Sequence, residues 1–455
     1  MEKLSCNYNR NIWGILFFIC TILTSCTDEL APIAVSSVIL DPISMTLIEG
    51  ESQKLTVTVS PSNAENKTVI WTSSNSSVAS VKEGLVTAIK AGKTTVTVKS
   101  DDGGKTATCE VIVKEAIKTD ISVLGTANCH IVSEVGFYKF TPSKGNSNES
   151  VGTITSVEVL WETFGTDVTP NVGDLVKNAV YSDGYITFQT VDTFKEGNAV
   201  IAAKDADGNI LWSWHIWFTD QPQGQVYCNN AGTMMDRNLG ATSATPGDVG
   251  ALGLLYQWGR KDPFLGSSSI SGSNLAKSTI TWPSAVSSDA SNGTIEFATA
   301  NPTTFITRNS DNHDWYYTGN SSTDNTRWTE SDKAKSIYDP CPQGWRVPDG
   351  GSNGVWSKSL GSSSSFSDKL LYDSTNEGMN FSGKFGLDQT IWYPASGFHD
   401  YSDGSLSNVG YDGGYWSASP NNYNACLLYF NHFGYVDPSN GLNRAYGFSV
   451  RCLQE

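Results

Sequence analysis

Apolar and polar residues alternate with a period of two through the first quarter of the chain. Residues 54–59 (KLTVTV) and 94–98 (TTVTV) are the clearest runs, and both are rich in β-branched residues. Successive side chains of a strand point to opposite faces, so this alternation predicts strands with one buried face. Residues 101–104 (DDGG) predict a hairpin turn, because glycine adopts positive φ at little cost. About seven short strands in about 80 residues indicate a two-sheet sandwich.

Several segments of this region together resemble the bacterial Ig-like domain, group 2. They are residues 39–43, 47–51, 69–75, 78–81, 84–88 and 91–92. The resemblance covers residues 37–115 and implies an all-β Ig-like sandwich that serves as a spacer in surface proteins, in some cases with adhesive activity. Trp71 is interpreted as the core tryptophan between the two sheets, and the alternative is a residue that stacks on a ligand.

Residues 116–223 predict a second, middle β-sandwich. Its clearest strands are residues 157–162 (VEVLWE), 185–188 (YITF) and 199–203 (AVIAA). One face of the aromatic strand at residues 210–218 carries Trp212, Trp214 and Ile216, and the other carries Ser213, His215 and Trp217. We interpret one face as core and the other as packed on a neighbouring domain, and the alternative is an aromatic binding platform.

Residues 224–455 are rich in Gly, Ser, Asn and aromatic residues, a composition that predicts a loop-rich α+β domain. Short helices are expected near residues 252–259 and 365–371. Five motifs occur in order: 235–241 (MDRNLGA), 253–263 (GLLYQWGRKDP), 339–348 (DPCPQGWRVP), 415–419 (YWSAS) and 447–452 (GFSVRC). Together they resemble the Fibrobacter succinogenes major paralogous domain, a family related to the C-type-lectin-like fold. The resemblance implies a C-type-lectin-like domain over residues 224–455.

Six cysteines follow Cys26, and no two of them form a C-x-x-C pair, so a zinc ribbon is excluded. The resemblance to the Fibrobacter domain implies one disulfide, between Cys341 in the third motif and Cys452 at the end of the fifth. Cys426 would then be unpaired and buried in a core strand. Spacing alone leaves open the pairing of Cys109, Cys129, Cys228 and Cys426.

The first residues have the pattern of a secretory signal peptide. Lys3 and Arg10 precede an apolar run at residues 12–20. This run is too short to span a bilayer as a helix, which needs about 20 apolar residues. The segment at residues 1–25 is therefore predicted to be removed on export.

Residues 23–26 (LTSC) resemble the lipobox of bacterial lipoproteins. This resemblance implies that Cys26 is lipidated and that residues 26–36 form a tether. Residues 27–29 (TDE) resemble the surface-export signal of Bacteroidetes lipoproteins. The implied location is the outer membrane or cell surface, with the membrane contacted through the lipid anchor.

Charge and motif content argue against nucleic-acid binding and catalysis. The formal net charge is −16 and Lys and Arg form no cluster, so nucleic acid is not an expected partner. Residues 350–354 (GGSNG) match G-x-S-x-G, but they lie in a polar loop rather than between a strand and a helix. The five histidines show no metal-ligand spacing. We therefore assign no enzymatic activity, catalytic residue, metal or cofactor, although Asp400, Asp403 and Asp412 leave calcium binding open.

Two loops, residues 311–317 (DNHDWYY) and 399–405 (HDYSDGS), have the composition of a carbohydrate-binding surface. Aromatic faces stack on sugar rings, polar side chains bond hydroxyls, and loops on a rigid scaffold commonly carry binding. The predicted ligand-binding residues are Trp315, Tyr316, His399, Asp400, Tyr401 and Asp403. The alternative for these aromatic residues is a place in the core.

The sequence is therefore interpreted as a cell-surface lipoprotein with an adhesive or glycan-binding role and no catalysis. Its expected partners are glycans or other host and matrix surface ligands. The first alternative is a structural subunit of a pilus tip or an envelope assembly. The second is an enzyme that acts on extracellular polysaccharide.

Overall fold

The computed structural model describes residues 32–329, 334–385 and 390–455. The chain divides into two compact units, with the division between Glu115 and Ala116. The predicted signal peptide and the predicted lipidation site Cys26 lie outside the described residues. None of the described helices has the length and apolarity that crossing a membrane requires.

The first unit is a β-sandwich. Its described strands are β1 (Ser37–Asp41), β2 (Ser44–Ile48), β3 (Ser52–Lys54), β4 (Thr56–Ser60), β5 (Val69–Ser73), β6 (Ala79–Lys82), β7 (Leu85–Ala88), β8 (Gly92–Ser100) and β9 (Thr106–Lys114). One sheet has the order β2-β9-β8-β5, a second has the order β3-β7-β6, and β1 pairs with β4. The sandwich predicted from the alternating pattern is therefore present.

Strand β8 illustrates how the alternation specifies this sandwich. Val96 and Val98 are fully buried, while the threonine between them is only partly covered. The strand turns into β9 at residues 101–104, where Gly103 and Gly104 have φ of 73° and 58°, as the predicted hairpin requires. Trp71 on β5 is half-buried and packs against the core of this unit.

The second unit begins with the middle sandwich. Its strands are β10 (Lys118–Asp120), β11 (Cys129–Val132), β12 (Phe137–Phe140), β13 (Ser156–Thr163), β14 (Lys177–Ser182), β15 (Tyr185–Gln189), β16 (Gly197–Lys204) and β17 (Ile210–Phe218). They form two four-stranded sheets, ordered β10-β12-β15-β14 and β11-β17-β16-β13. The predicted middle β-sandwich is therefore also present.

Both faces of the aromatic strand β17 are buried. Trp214 and Ile216 belong to the core between the two sheets, whereas Trp217 packs with residues of the C-terminal region such as Trp258. His215 lies on the same side as Trp217, with its Nε2 2.8 Å from the amide oxygen of Asn198. Burial lowers the pKa of His215 to about 3, so its imidazole is neutral at pH 7. The strand is therefore shared core and not a binding platform.

The C-terminal region contains many short strands. They are β18 (Gly224–Tyr227), β19 (Gly232–Met235), β20 (Leu255–Gln257), β21 (Val286–Ser287), β22 (Ile306–Thr307), β23 (Trp345–Arg346), β24 (Phe366–Ser367), β25 (Tyr372–Asp373), β26 (Gly378–Asn380), β27 (Trp392–Pro394), β28 (Phe398–His399), β29 (Leu406–Ser407), β30 (Asp412–Asn421), β31 (Asn424–Asn431), β32 (Tyr435–Asn443), β33 (Gly447–Ser449) and β34 (Leu453–Gln454). The largest sheet has the order β24-β32-β31-β30-β33-β28-β29, and β20 pairs with β33. A second sheet has the order β18-β19-β34-β23.

Helices are few, and both helical predictions were wrong. The described α-helices are α1 (Ile295–Ala300) and α2 (Val355–Leu360). Residues 252–259 instead contain β20, and residues 365–371 contain β24. Every residue of β20 is buried, and a short run that is buried on all sides carries no period that distinguishes strand from helix. The C-terminal region, predicted to be α+β and loop-rich, therefore consists mostly of strands and loops, with few helices among its described residues.

The five C-terminal motifs converge on one hydrophobic core. That core contains Leu239, Trp258, Cys341, Trp416 and Phe448, one residue from each motif. It also contains middle-sandwich residues, including Trp161 and Trp217, which is why the two regions form one compact unit. The aromatic and cysteine residues of the five motifs therefore pack this core.

Candidate functional site

Arg308 follows strand β22, lies just before the first predicted binding loop and contacts the second. The backbone N–H of Arg308 donates to the carbonyl oxygen of Tyr401, with 2.9 Å between nitrogen and oxygen. Its guanidinium carbon lies 4.5 Å from the centre of the Tyr401 ring, within the range of a cation–π contact. Tyr401 lies in the turn between β28 and β29, so these two strands hold the ring that Arg308 contacts.

Tyr446 completes this arrangement from the segment between β32 and β33. Its ring centroid lies 4.7 Å from that of Tyr401, with the planes nearly perpendicular. Burial and the nearby Asp400 carboxylate raise the pKa of Tyr446 to about 12, so its hydroxyl stays protonated and able to donate. We call Arg308, Asp400, Tyr401 and Tyr446 the Arg308 surface. Arg308 is exposed and the other three are half-buried.

The two predicted aspartates shape the turn that carries Tyr401. The Asp400 carboxylate accepts hydrogen bonds from the backbone N–H and hydroxyl of Ser402. The Asp403 carboxylate accepts from the backbone N–H of Ser405 at 2.8 Å, and this bond lowers the pKa of Asp403. Both carboxylates are therefore directed into their own loop.

Tyr316 and Tyr401 rest on the same small apolar cluster. Its buried members are Ala298, Ile306, Trp315 and Ala445, and both tyrosines are half-buried against it. The structure therefore brings a predicted residue from each loop onto one shared base.

The prediction that Trp315 and His399 contact a ligand directly is wrong, because neither side chain is accessible. Trp315 is fully buried, and its indole N–H donates to the Trp258 carbonyl oxygen at 2.7 Å. His399 is 6% exposed, and its two ring nitrogens each lie 2.8 Å from a backbone carbonyl oxygen, of Gly404 and of Leu265. Both residues support the loops from beneath.

A buried ionic cluster lies behind Trp315. The Asp314 carboxylate accepts a hydrogen bond from Arg327 and lies 3.6 Å from a guanidinium nitrogen of Arg444. All three side chains are almost completely inaccessible. The Arg327 guanidinium also lies 4.9 Å from the Trp258 ring and 4.8 Å from the Trp315 ring. Burial lowers the pKa of Arg444 to about 10, which leaves it charged at neutral pH.

A second aromatic surface lies at the hairpin between β31 and β32. Phe433 is 65% exposed and Tyr411 is 54% exposed. The His432 ring lies between them, with its centroid 3.8 Å from that of Phe433 and 4.9 Å from that of Tyr411. We call these three residues the Phe433 surface. The prediction missed it, although residues 431–434 (NHFG) place a phenylalanine in a turn where polar residues are usual.

The disulfide implied by the sequence resemblance is confirmed. Cys341 and Cys452 are bonded, and they join the loop before β23 to the start of β34, its antiparallel neighbour. Among the described residues the other cysteines are free thiols: Cys109, Cys129, Cys228 and Cys426. The described part of the chain brings together no group of three His, Cys, Asp or Glu side chains placed to hold a metal ion.

Comparison with known protein families bears on the first unit. The model of the bacterial Ig-like domain, group 2, matches residues 34–111. Residues 34–111 form a bacterial Ig-like domain of group 2. The match covers the alternating strands β1 to β8 and most of β9, so this family accounts for the sandwich described above.

Curated relatives of the chain share only part of its length. An alpha-L-arabinofuranosidase of Bifidobacterium longum is 31% identical over 153 residues, which are 31% of this chain and 14% of that protein. An Ig-like virion protein of Serratia phage KSP90 is 41% identical over 89 residues, which are 19% of this chain and 34% of that protein. The chain thus spans about a third of the second relative's length and less of the first's.

Among solved structures, domains 5–6 of the S-layer protein SbsC align with 41% of this chain and 98% of their own length. The sequence identity is 15% and the TM-score is 0.16. A score this low supports no inference about the overall fold of this chain.

Proposed function

We propose that this chain is a cell-surface protein that adheres to glycans through its C-terminal region and catalyses no reaction. The group 2 Ig-like domain supports a spacer role for the first unit. The partial relatives of the chain carry names as different as an arabinofuranosidase and a phage virion protein, which fits a shared module better than a shared activity. The single observation that carries the binding role is the Arg308 surface, where an exposed guanidinium is stacked on a tyrosine beside a second tyrosine.

The same proposal includes the family and the fold of the C-terminal region. We infer that residues 224–455 are a Fibrobacter succinogenes major paralogous domain with a C-type-lectin-like fold. Two observations support it: the five motifs share one core, and the disulfide that the resemblance implies is present. In such a domain the loops, and not the motifs, are the natural place for ligand contacts.

Glycan binding is tested with the purified full chain on an array of host, plant and bacterial saccharides. Tyr401→Ala is expected to weaken binding about tenfold, because one aromatic contact contributes about 1.4 kcal/mol. Tyr181, an exposed tyrosine on β14, provides the matched control, and Tyr181→Ala is expected to bind like the native chain. Absence of binding to every saccharide would contradict the proposal.

The same preparation tests the non-catalytic part of the proposal. Incubation with a panel of polysaccharides is expected to release no new reducing ends. Release that one carboxylate substitution abolishes would replace the adhesive role with an enzymatic one.

The proposed anchor is a lipid on Cys26. Cys26→Ser is expected to remove the acyl modification and move the chain from the membrane fraction to the soluble fraction, since the acyl chains supply the membrane affinity. Metabolic labelling with a fatty acid, followed by fractionation of the cells, measures both effects. Cys228→Ser, which alters a free thiol of the second unit, is the control and is expected to keep the label. Continued labelling of the Cys26→Ser chain would refute the anchor.

A structural role in an envelope assembly is the second candidate, and the Phe433 surface favours it. Exposed phenylalanine and tyrosine side chains packed against a third ring are typical anchors of protein interfaces. In the array experiment, Phe433→Ser is expected to leave glycan binding unchanged. If Phe433→Ser abolishes co-purification with other surface proteins while Tyr401→Ala binds glycans normally, the assembly role takes precedence.

A further inference from the structure

Arginine is used in a restricted way in this protein. Seven of its arginines lie in the described residues, and six of these donate side-chain hydrogen bonds to acceptors within the protein. Those six are Arg237, Arg260, Arg327, Arg346, Arg444 and Arg451. Arg308 is the exception: within the described ranges its guanidinium has no acceptor and no carboxylate partner, and it is exposed.

The free guanidinium of Arg308 is nevertheless held in place. Its backbone is bonded to Tyr401, and its charged group lies over the Tyr401 ring. A planar guanidinium presents paired N–H donors that match the two oxygens of a carboxylate, a geometry that a lysine ammonium lacks. Holding the fork before a ligand arrives reduces the ordering cost of binding.

The neighbouring aspartates form no salt bridge with this cation among the described residues. Asp400 and Asp403 accept hydrogen bonds from Ser402 and Ser405 of their own turn, and neither lies within ion-pair distance of Arg308 in the described structure. The protonated Tyr446 hydroxyl adds a donor next to the same site. The surface therefore offers a cation, a hydroxyl donor and aromatic edges, beside an Asp400 carboxylate that is hydrogen-bonded to Ser402.

We propose that the Arg308 surface binds a carboxylated sugar, with the sugar carboxylate paired to the Arg308 guanidinium and the ring against Tyr401 and Tyr446. This inference rests on the glycan-binding role proposed above and names its ligand class. Two sources supply such a group, hexuronates of plant and matrix polysaccharides and the terminal acidic sugars of host glycans.

The test measures binding of the full chain to matched pairs of saccharides. Oligogalacturonate is compared with its methyl ester, which keeps the ring and loses the charge, and sialyllactose is compared with lactose. The acidic member of at least one pair is expected to bind at least tenfold more tightly. Arg308→Gln is expected to abolish that preference, and Arg308→Lys to reduce it by several fold because the paired geometry is lost.

Lys369→Gln is the control, since it removes one exposed positive charge elsewhere in the C-terminal region. It is expected to keep the preference for the acidic saccharide. Equal binding of the acidic and neutral members, or an unchanged preference in Arg308→Gln, overturns the carboxylate inference and leaves glycan binding standing. Binding to no saccharide of any kind overturns both. Thermal unfolding of each variant, expected to match the native chain, separates a lost contact from a lost fold.

Discussion

A chain carrying Cys341→Ala and Cys452→Ala is expected to unfold with a free energy about 4–5 kcal/mol below that of the native chain. The two cysteines lie 111 residues apart, and closing a loop of that length removes this much chain entropy from the unfolded state. The bond also joins the segment before β23 to β34, a strand between β19 and β23 in its sheet. Its loss therefore leaves the C-terminal strand held to the body of the second unit by hydrogen bonds and packing alone.

The measurement is urea unfolding followed by tryptophan fluorescence, since most tryptophans belong to the second unit. A fall in melting temperature on the order of 10 °C corresponds to the same loss. Cys228→Ala removes a partly covered free thiol and serves as the control, with an expected effect below about 1 kcal/mol. If the double variant stays within about 1 kcal/mol of the native chain, the disulfide does not stabilise this fold.

The disulfide was predictable because it belongs to motifs that encode packing. Trp258, Trp416 and Phe448 stand in three motifs, and all three are buried in one core with Cys341. Motif residues of this kind specify where chain segments meet, so they indicate the fold and its covalent tie. They carry no information about which surface binds a ligand.

The binding residues were harder to predict, and Trp315 shows why. An aromatic residue flanked by Asp and Tyr has the same local composition whether it covers a sugar or fills a core. Burial of Trp315 depends on its contacts with Arg327 and with Trp258, which come from other segments of the chain. The hydrophobic period and the composition of a segment carry no information about such long-range contacts.

Arg308 and Tyr446 were missed for the same reason. Arg308 lies just before one predicted loop, and its link to Tyr401 joins segments that are far apart in sequence. Tyr446 lies beside the fifth motif, where its neighbours indicate core packing. Local sequence carries no signal for Arg308, because Asp311 stands three residues later, at the spacing of an ordinary helical ion pair.

Asp314→Asn is expected to destabilise the second unit by about 3–5 kcal/mol. The substitution keeps the size of the side chain but removes the carboxylate that is ion-paired with two buried guanidiniums, those of Arg327 and Arg444. Breaking a buried pair leaves an uncompensated charge, which costs this much in other proteins. Arg327 is the more dependent of the two, because within the described residues Asp314 is its only hydrogen-bond acceptor. Arg444 also donates to three backbone oxygens, of Asp324, Asn422 and Asn424.

The control for this substitution is Asp311→Asn, which removes an exposed carboxylate from the same loop. Its expected effect on the free energy of unfolding in urea is below about 0.5 kcal/mol.

Asp314→Asn is also expected to weaken glycan binding while touching no ligand, because Arg327 contacts Trp315, and Trp315 is part of the base beneath Tyr401. The two effects are separable at low temperature, where the variant remains folded. Full stability of Asp314→Asn would mean that the aromatic rings around Arg327 compensate its charge unaided. Normal stability with weakened binding would instead assign Asp314 a positioning role at the Arg308 surface.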